Sequence, residues 1–132
     1  MRLIPRLLAL ALVGALPACV AGLPPGGIAA LDGTYEGEMR RSAGPPMNCP
    51  ASFRIRMTVA RGEVHGEVFD PRQPDVPADR FAAFVEADGR MVNTLRVGGM
   101  TFGVRGRFGD TRFVGSADGQ VCGLSVNAAR RP

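Results

Sequence analysis

Tryptophan is absent from this chain of 132 residues, and tyrosine and histidine occur once each, at Tyr35 and His65. A single histidine offers one candidate general base, and no serine–histidine–aspartate set can be assembled around it. The three cysteines contain no Cys-x-x-Cys pair, which argues against a redox dithiol or a cysteine-rich zinc site. No cofactor motif is present. We therefore expect neither an enzyme nor a bound cofactor.

A strong excess of one charge is also missing. The whole chain carries a net charge of +4, but Arg2 and Arg6 lie in residues 1–18. Without that segment, fourteen basic residues face twelve acidic ones, a net charge of +2. The remaining basic residues are scattered among acidic ones, without stacking aromatic residues between them. We therefore expect no nucleic-acid partner.

The N-terminus has the order of a secretory signal peptide. Two arginines precede the apolar run "LLALALVGAL", and small residues follow it. The run is too short to span a bilayer comfortably. We interpret residues 1–18 as a signal peptide, with a buried core helix of the mature domain as the alternative.

The end of this segment, "LPAC", resembles the lipobox of bacterial lipoproteins. Leu16, Ala18 and Cys19 match the lipobox positions −3, −1 and +1, whereas Pro17 departs from the usual residue at −2. The resemblance implies cleavage before Cys19, a diacylglyceryl group on its sulfur and an acyl group on the new N-terminus. Several acyl chains give stable membrane anchoring, so the lipid would make the membrane a partner of this chain.

The lipobox resemblance also bears on location. Val20 follows the cysteine where aspartate would signal retention in the inner membrane, so the resemblance implies an outer-membrane lipoprotein facing the periplasm. The alternative is ordinary cleavage near Ala18 or Ala21, which would release a soluble periplasmic protein.

The other two cysteines, Cys49 and Cys122, form an even pair in the mature region. An exported protein meets an oxidising compartment, so such a pair predicts a disulfide. Assigning Cys19 to the lipid leaves no odd thiol.

The mature chain divides into a tether and one domain. Residues 19–31 are rich in small residues, glycine and proline and have no helical or alternating period, which is typical of a tether. Residues 32–132 read as seven or eight short strands joined by turns. Sequential hairpins favour an antiparallel up-and-down β-barrel, in which the disulfide would join the first and last strands. A flattened β-sandwich of the same strands is the alternative.

Alternation and turn residues set the expected pairing. "SFRIRMTVA" alternates apolar and polar residues, and "RG" turns it into "EVHGEVF", so Thr58 should face His65 and Arg56 should face Glu67. The turn at 98–99 should place Leu95 opposite Phe102.

"DG" at 118–119 predicts a two-residue turn that places Phe113 opposite Leu124 and Gly115 opposite Cys122. Residues 70–79 should form the one long loop. Residues 80–87 alternate poorly, so they predict a strand with a short helix as the alternative.

A three-residue motif recurs in the sequence: a large residue, any residue, and then a glycine that should face inward. Its copies are "YEG", "VHG", "VRG" and "FVG". Such glycines mark a bend in the sheet or a gap that an aromatic ring fills. The segments "GTYEG" and "VARGEVHGEVF" resemble the start of avidin-type and lipocalin-type barrels. That resemblance implies architecture only, because Tyr35 stands where those families have tryptophan, so their aromatic ligand cage cannot be transferred.

Few polar residues suggest a site. His65 lies between Glu63 and Glu67 on one strand face, where a metal site is conceivable, but the polar face favours a solvated surface with an Arg56–Glu67 ion pair, so we expect no metal. Asn93 should point inward and hydrogen-bond to backbone, with a ligand pocket as the alternative.

The arginines at 54 and 56 and at 105 and 107 are typical of a solvated outer face, with an anion site as the alternative. Together these features favour a binding module for an envelope protein partner or a small apolar ligand. A closed barrel of this size is nearly filled by side chains, which favours its loops or outer face. The alternative is a structural envelope lipoprotein without a discrete ligand.

Overall fold

The computed structural model describes residues 23–47 and 49–132. The predicted signal peptide, the lipobox and Cys19 lie outside these residues. Among the described residues, no helix has the length and apolar character needed to cross a membrane.

Eight antiparallel strands form one barrel-shaped sheet in the order β4-β3-β2-β1-β8-β7-β6-β5. They are β1 (Gly33–Ala43), β2 (Ser52–Ala60), β3 (Glu63–Phe69), β4 (Asp79–Phe84), β5 (Arg90–Val97), β6 (Met100–Phe108), β7 (Arg112–Asp118) and β8 (Gly123–Arg130). The first and last strands pair along their length, so the predicted up-and-down barrel is confirmed and the sandwich is not formed. The weakly patterned segment at 80–87 supplies β4 rather than a helix.

The barrel is nearly closed, with one seam between β4 and β5. No backbone ladder joins these two strands in the described structure. They are held together at the two ends of the seam, where Glu86 N–H donates to the Arg90 carbonyl at 2.7 Å and Arg96 N–H donates to the Asp79 carboxylate at 2.7 Å. β4 and β5 are therefore neighbours that expose unpaired main-chain edges between these two points.

Inward side chains fill the interior. The largest fully buried ones are aromatic, aliphatic or methionine, as alternation in each strand predicts. They include Tyr35, Phe53, Phe102, Phe108, Phe113, Met39, Met57 and Met91. The Phe108 ring packs edge-on against Tyr35 and tilted against Phe113, with ring centroids 5.0 and 4.7 Å apart.

A 3₁₀ helix, Gly27–Leu31, closes the end of the barrel that holds both termini of the domain. Leu31 is fully buried, and the Tyr35 hydroxyl donates to its carbonyl at 2.8 Å. The Arg130 guanidinium also donates to the Ala30 carbonyl at 2.9 Å and to the Asp32 carbonyl. The last part of the segment assigned to the tether is thus a plug, because an apolar leucine covers an otherwise open core. We call this end the plug end.

The opposite end carries the predicted disulfide, which is confirmed. Cys49 lies in the loop between β1 and β2, Cys122 lies directly before β8, and their Cα atoms are 5.3 Å apart. Because β1 pairs with β8, the bond joins neighbouring strands across the closure of the barrel. We call this the disulfide end.

Strand register confirms most of the expected pairs. Thr58 faces His65, and Leu95 faces Phe102. The expected pairing of β7 with β8 is wrong, because Phe113 faces Ala128 and Ala117 faces Leu124.

The expected Gly115–Cys122 pair is wrong as well, since Gly115 faces Val126. The physical reason is the turn: four residues, 119–122, connect the strands, whereas "DG" predicts a two-residue turn. The shift is even, so each residue still faces the side that alternation assigned.

Candidate functional site

The polar residues singled out around His65 do not converge on one point. His65 Nε2 lies 2.9 Å from Glu63 Oε1, whereas Glu67 Oε1 lies 3.2 Å from Arg80 Nε. Arg56 pairs with Glu36 at 3.0 Å, so the predicted Arg56–Glu67 ion pair is wrong. Within residues 23–47 and 49–132, no group of three or more histidine, cysteine or acidic side chains is placed to hold a metal ion.

Asn93 points inward as predicted, but it does not hydrogen-bond to backbone. Its buried Nδ2 atom has no hydrogen-bond partner. The reason is its surroundings: Val104 is its cross-strand partner, and Met91 and Leu95 are its neighbours on the inner face. None of these side chains offers an acceptor, and the other side of β5 is the seam.

The two arginine clusters, at 54 and 56 and at 105 and 107, differ in how far neighbouring groups balance their positive charge. The Arg54 guanidinium lies 4.4 Å from the centroid of the Phe69 ring and donates to the Pro74 carbonyl at 3.0 Å. Arg56 has its ion pair with Glu36. This cluster is bound into a structured surface, so nothing about it points to an external anion.

Arg105 and Arg107 have less compensation. Arg107 lies 3.8 Å from the Asp88 carboxylate, which Arg90 also contacts, and Arg105 forms no ion pair with any described residue. The hydrogen bond from Arg90 N–H, followed by the charge of Arg90, lowers the pKa of Asp88. Asp88 therefore stays ionised to a lower pH than an ordinary aspartate, and its charge is shared between two guanidinium groups.

The disulfide end carries a groove of about 830 Å³ between its loops. Apolar and proline residues form most of its lining, which comprises Pro46, Met47, Cys49, Pro50, Ala51, Ser52, Asp70, Pro71, Arg72, Gly98, Met100 and Val121. We call it the disulfide-end groove. Met47 is 94% exposed and Val121 is 53% exposed, unusual values for large apolar side chains in a protein whose core is otherwise well filled.

Covalent and ionic contacts hold the loops around this groove. The disulfide ties the loop that carries Met47 to the loop that carries Val121. At the edge of the groove, Arg72 Nη2 lies 2.7 Å from Asp70 Oδ2, and side-chain and backbone hydrogen bonds from Arg72 lower the pKa of Asp70. The groove therefore combines apolar side chains with the charged pair Asp70–Arg72, and both kinds of group occur at protein interfaces.

Sequence reasoning missed this groove because its residues come from four separate loops. Met47 follows a proline and Val121 lies between a glutamine and a cysteine, and no periodic pattern marks either residue. Only the closure of the barrel brings residues so distant in the chain to one end.

Comparison of this chain with protein-family models, with curated proteins and with solved structures found no match. The case for a function therefore depends on the geometry and chemistry of the residues described above.

Proposed function

We propose that this chain is an envelope lipoprotein, anchored in the outer membrane through Cys19 and facing the periplasm, that binds a partner protein through the disulfide-end groove. A soluble periplasmic protein is the alternative for its location. A structural lipoprotein without a discrete ligand is the alternative for its role.

The observation that carries this proposal is the exposed apolar lining of the groove. Met47 remains in water although its full burial would be favourable by about 1.5–3 kcal/mol, and the half-exposed Val121 would gain roughly half as much. The filled interior, closed by Leu31 at the plug end, favours a protein partner at the loops over a small apolar ligand inside the barrel.

The position of the groove also fits an anchored protein. The chain leaves the described domain at the plug end, next to the 3₁₀ helix Gly27–Leu31. The groove lies at the opposite end of the strands. An anchor at Cys19 would therefore leave the groove open towards a partner in the periplasm.

The anchor is tested by the intact mass of the mature protein recovered from a Gram-negative envelope, with and without reductant. We expect a chain that begins at Cys19, heavier by lipid, and two hydrogens lighter than its dithiol form. An unlipidated chain that begins after Ala18 or Ala21 would contradict the anchor and favour the soluble alternative.

The groove is tested by photocrosslinking in the native envelope, with the photoreactive side chain at Met47 or, as a control, at the exposed Thr58 of β2. We expect one discrete protein adduct from position 47 only. A second substitution, Val121→Asp, should abolish that adduct, because it places a charge in the apolar lining. Equal adducts at both positions, or none at either, would contradict the proposal and favour the structural alternative.

A further inference from the structure

A patch of three arginines and three exposed apolar side chains covers the outer face of β4 to β7 in the half of the barrel nearest the plug end. It consists of Phe84, Arg90, Val92, Arg105, Arg107 and Val114. We propose that this patch, here named the membrane patch, docks on an anionic phospholipid surface, namely the bilayer that holds the anchor. The choice of this particular bilayer depends on the anchor at Cys19 proposed above.

Strand register brings these residues together. Arg90 faces Arg107 and Val92 faces Arg105 across the β5–β6 pair, and Arg107 faces Val114 across the β6–β7 pair. All five side chains point outward, since the residues between them are inward. Arginine and apolar residues are therefore neighbours on the outer face of three adjacent strands.

Phe84 extends the patch across the seam. The hydrogen bond from Glu86 N–H to the Arg90 carbonyl holds the end of β4 beside the start of β5, so Phe84, the last residue of β4, lies across the seam from the start of β5. Phe84 is 74% exposed, Val92 66% and Val114 54%. Half of the exposed large apolar side chains of the described residues thus lie in this one patch.

The charges of the patch are poorly compensated. Like charges directly opposite one another destabilise a sheet, and Arg90 faces Arg107. Asp88 lies near both, and Glu86 lies 3.7 Å from Arg90, which offsets part of the positive charge. Arg105 is left without an ion pair among the described residues. An external anion would relieve this repulsion.

The chain enters the domain beside this patch. A Cβ placed on Gly89 would lie 3.4 Å from Leu23 Cδ2 and 3.6 Å from Arg107 Cγ, so Leu23 lies near Arg107. Cys19 is four residues earlier, and four residues span at most about 14 Å. A lipid on Cys19 would therefore keep the membrane patch within reach of the headgroups of the same bilayer.

The chemistry of the patch suits a phospholipid surface. All 16 basic residues of this chain are arginines, whose planar guanidinium groups can form two parallel hydrogen bonds with a phosphate. Exposed phenylalanine and valine side chains can enter the boundary between headgroups and acyl chains. The disulfide-end groove has exposed apolar side chains but no excess of arginines. We therefore expect the groove and the membrane patch to bind different partners.

The test uses the mature chain from Cys19 onward with the substitution Cys19→Ser, so that no acyl chain contributes to binding. This chain keeps every element that the structure describes. Its partition is measured by flotation with vesicles of phosphatidylcholine alone and with vesicles of phosphatidylcholine and phosphatidylglycerol in equal amounts. We expect binding to the anionic vesicles only, and loss of that binding at high salt.

Matched charge variants locate the binding surface. Each arginine near an anionic membrane contributes about fivefold to partition, so Arg105→Gln with Arg107→Gln should weaken it about 25-fold. The control pair, Arg40→Gln with Arg80→Gln, removes the same charge from the disulfide half of the barrel, outside the groove, and should leave partition within about twofold. Asp88→Asn should strengthen partition, a gain that a misfolded variant would not show.

Equal weakening of partition by the two double variants would overturn the proposal that the membrane patch binds the bilayer. Absence of binding to anionic vesicles would also overturn it, and would favour an acidic protein surface as the partner of the patch. These results are distinct from failure of the proposed function. A lipidated Cys19 and an adduct from Met47 would still support anchor and groove if the vesicles do not bind.

Discussion

Single residues control this barrel mainly through close packing at its glycines. A Cβ on Gly66 would lie 2.0 Å from the Phe81 ring, and one on Gly106 would lie 2.3 Å from the Phe113 ring and 2.6 Å from the Val114 carbonyl oxygen. At these two glycines of the recurring motif an aromatic ring fills the space of the missing side chain, as predicted, whereas at Gly37 and Gly115 the nearest atoms belong to the backbone of a neighbouring strand. At Gly106 the neighbouring backbone is also close, so the clash cannot be relieved by a ring movement alone.

We therefore expect Gly106→Ala to lower the free energy of unfolding by about 3 kcal/mol, the upper part of the range for overpacked cores. Gly103→Ala, on the same strand, is the control, because its Cβ would meet only the Asp118 carbonyl oxygen at 3.8 Å. That variant should change stability by less than about 0.5 kcal/mol. Urea denaturation of the three proteins measures both effects, and equal losses would contradict the packing argument.

The buried hydroxyl of Tyr35 makes the free energy of unfolding depend on pH in the alkaline range. Burial raises the pKa of Tyr35 above its ordinary value of 10.0, and the charge of Arg130 offsets part of this. The folded protein therefore keeps the hydroxyl proton at a pH where the unfolded chain has lost it. The resulting contribution to stability is complete below pH 10 and is lost as the pH rises through the pKa of the folded state.

Tyr35→Phe should accordingly flatten the decline of unfolding free energy above pH 10. At neutral pH it should cost about 1 kcal/mol, because the Leu31 carbonyl loses its hydrogen-bond donor. Urea titrations at neutral and alkaline pH measure both terms. An unchanged alkaline slope in the variant would show that another group controls it.

At the scale of elements, the plug is attached by the buried Leu31, the Tyr35 hydroxyl and the Arg130 guanidinium rather than by a strand ladder. The Arg130 guanidinium donates to the carbonyls of Ala30, Asp32 and Asp110, so it joins the 3₁₀ helix to β8 and to the turn before β7. The adjacent Arg131 forms an exposed ion pair with Glu36 at 3.0 Å. Neighbouring arginines of the same strand end thus have different structural roles.

Arg130→Gln should lower the free energy of unfolding by about 2–3 kcal/mol, since hydrogen bonds from a charged donor to part-buried carbonyls are lost. Arg131→Gln removes the same charge but only a surface ion pair, so it should cost less than about 1 kcal/mol. Hydrogen exchange should show faster exchange of the Asp32 amide, which donates to Ala29, in the first variant only. The same exchange rate in both variants would contradict this role of Arg130.

At the scale of the whole molecule, the disulfide and the β1–β8 pair perform the same closure. The bond spans 73 residues of sequence, so it removes much of the freedom of the unfolded chain. It also fixes the two loops that line the disulfide-end groove.

Cys49→Ser with Cys122→Ser should lower the unfolding free energy by about 4 kcal/mol in the chain-entropy model. The variant should keep its barrel at low temperature, because the β1–β8 ladder does not depend on the bond. Circular dichroism and urea denaturation of the variant and the parent protein measure this. Loss of all strand signal without denaturant would show instead that the bond is needed for closure.

Local sequence patterns account for the strands, the inward faces and the hairpins with two-residue turns. Alternation in "SFRIRMTVA" and the glycine turns at 62 and 98–99 act between near neighbours, so their effect is visible without any other part of the chain. The pairing of Cys49 with Cys122 could also be predicted, because these are the two cysteines of the predicted β domain, residues 32–132. The β7–β8 register could not, since "DG" suits more than one turn length.

Contacts between distant residues account for the rest. The plug forms because Leu31 is buried against the core at the end of the barrel that holds Tyr35. The Asn93 amide lacks a hydrogen-bond partner because its neighbours in the sheet are apolar. The disulfide-end groove and the membrane patch combine residues from several loops or strands. Their positions depend on how the barrel closes, and closure is a property of the packed sheet that no single segment of the sequence carries.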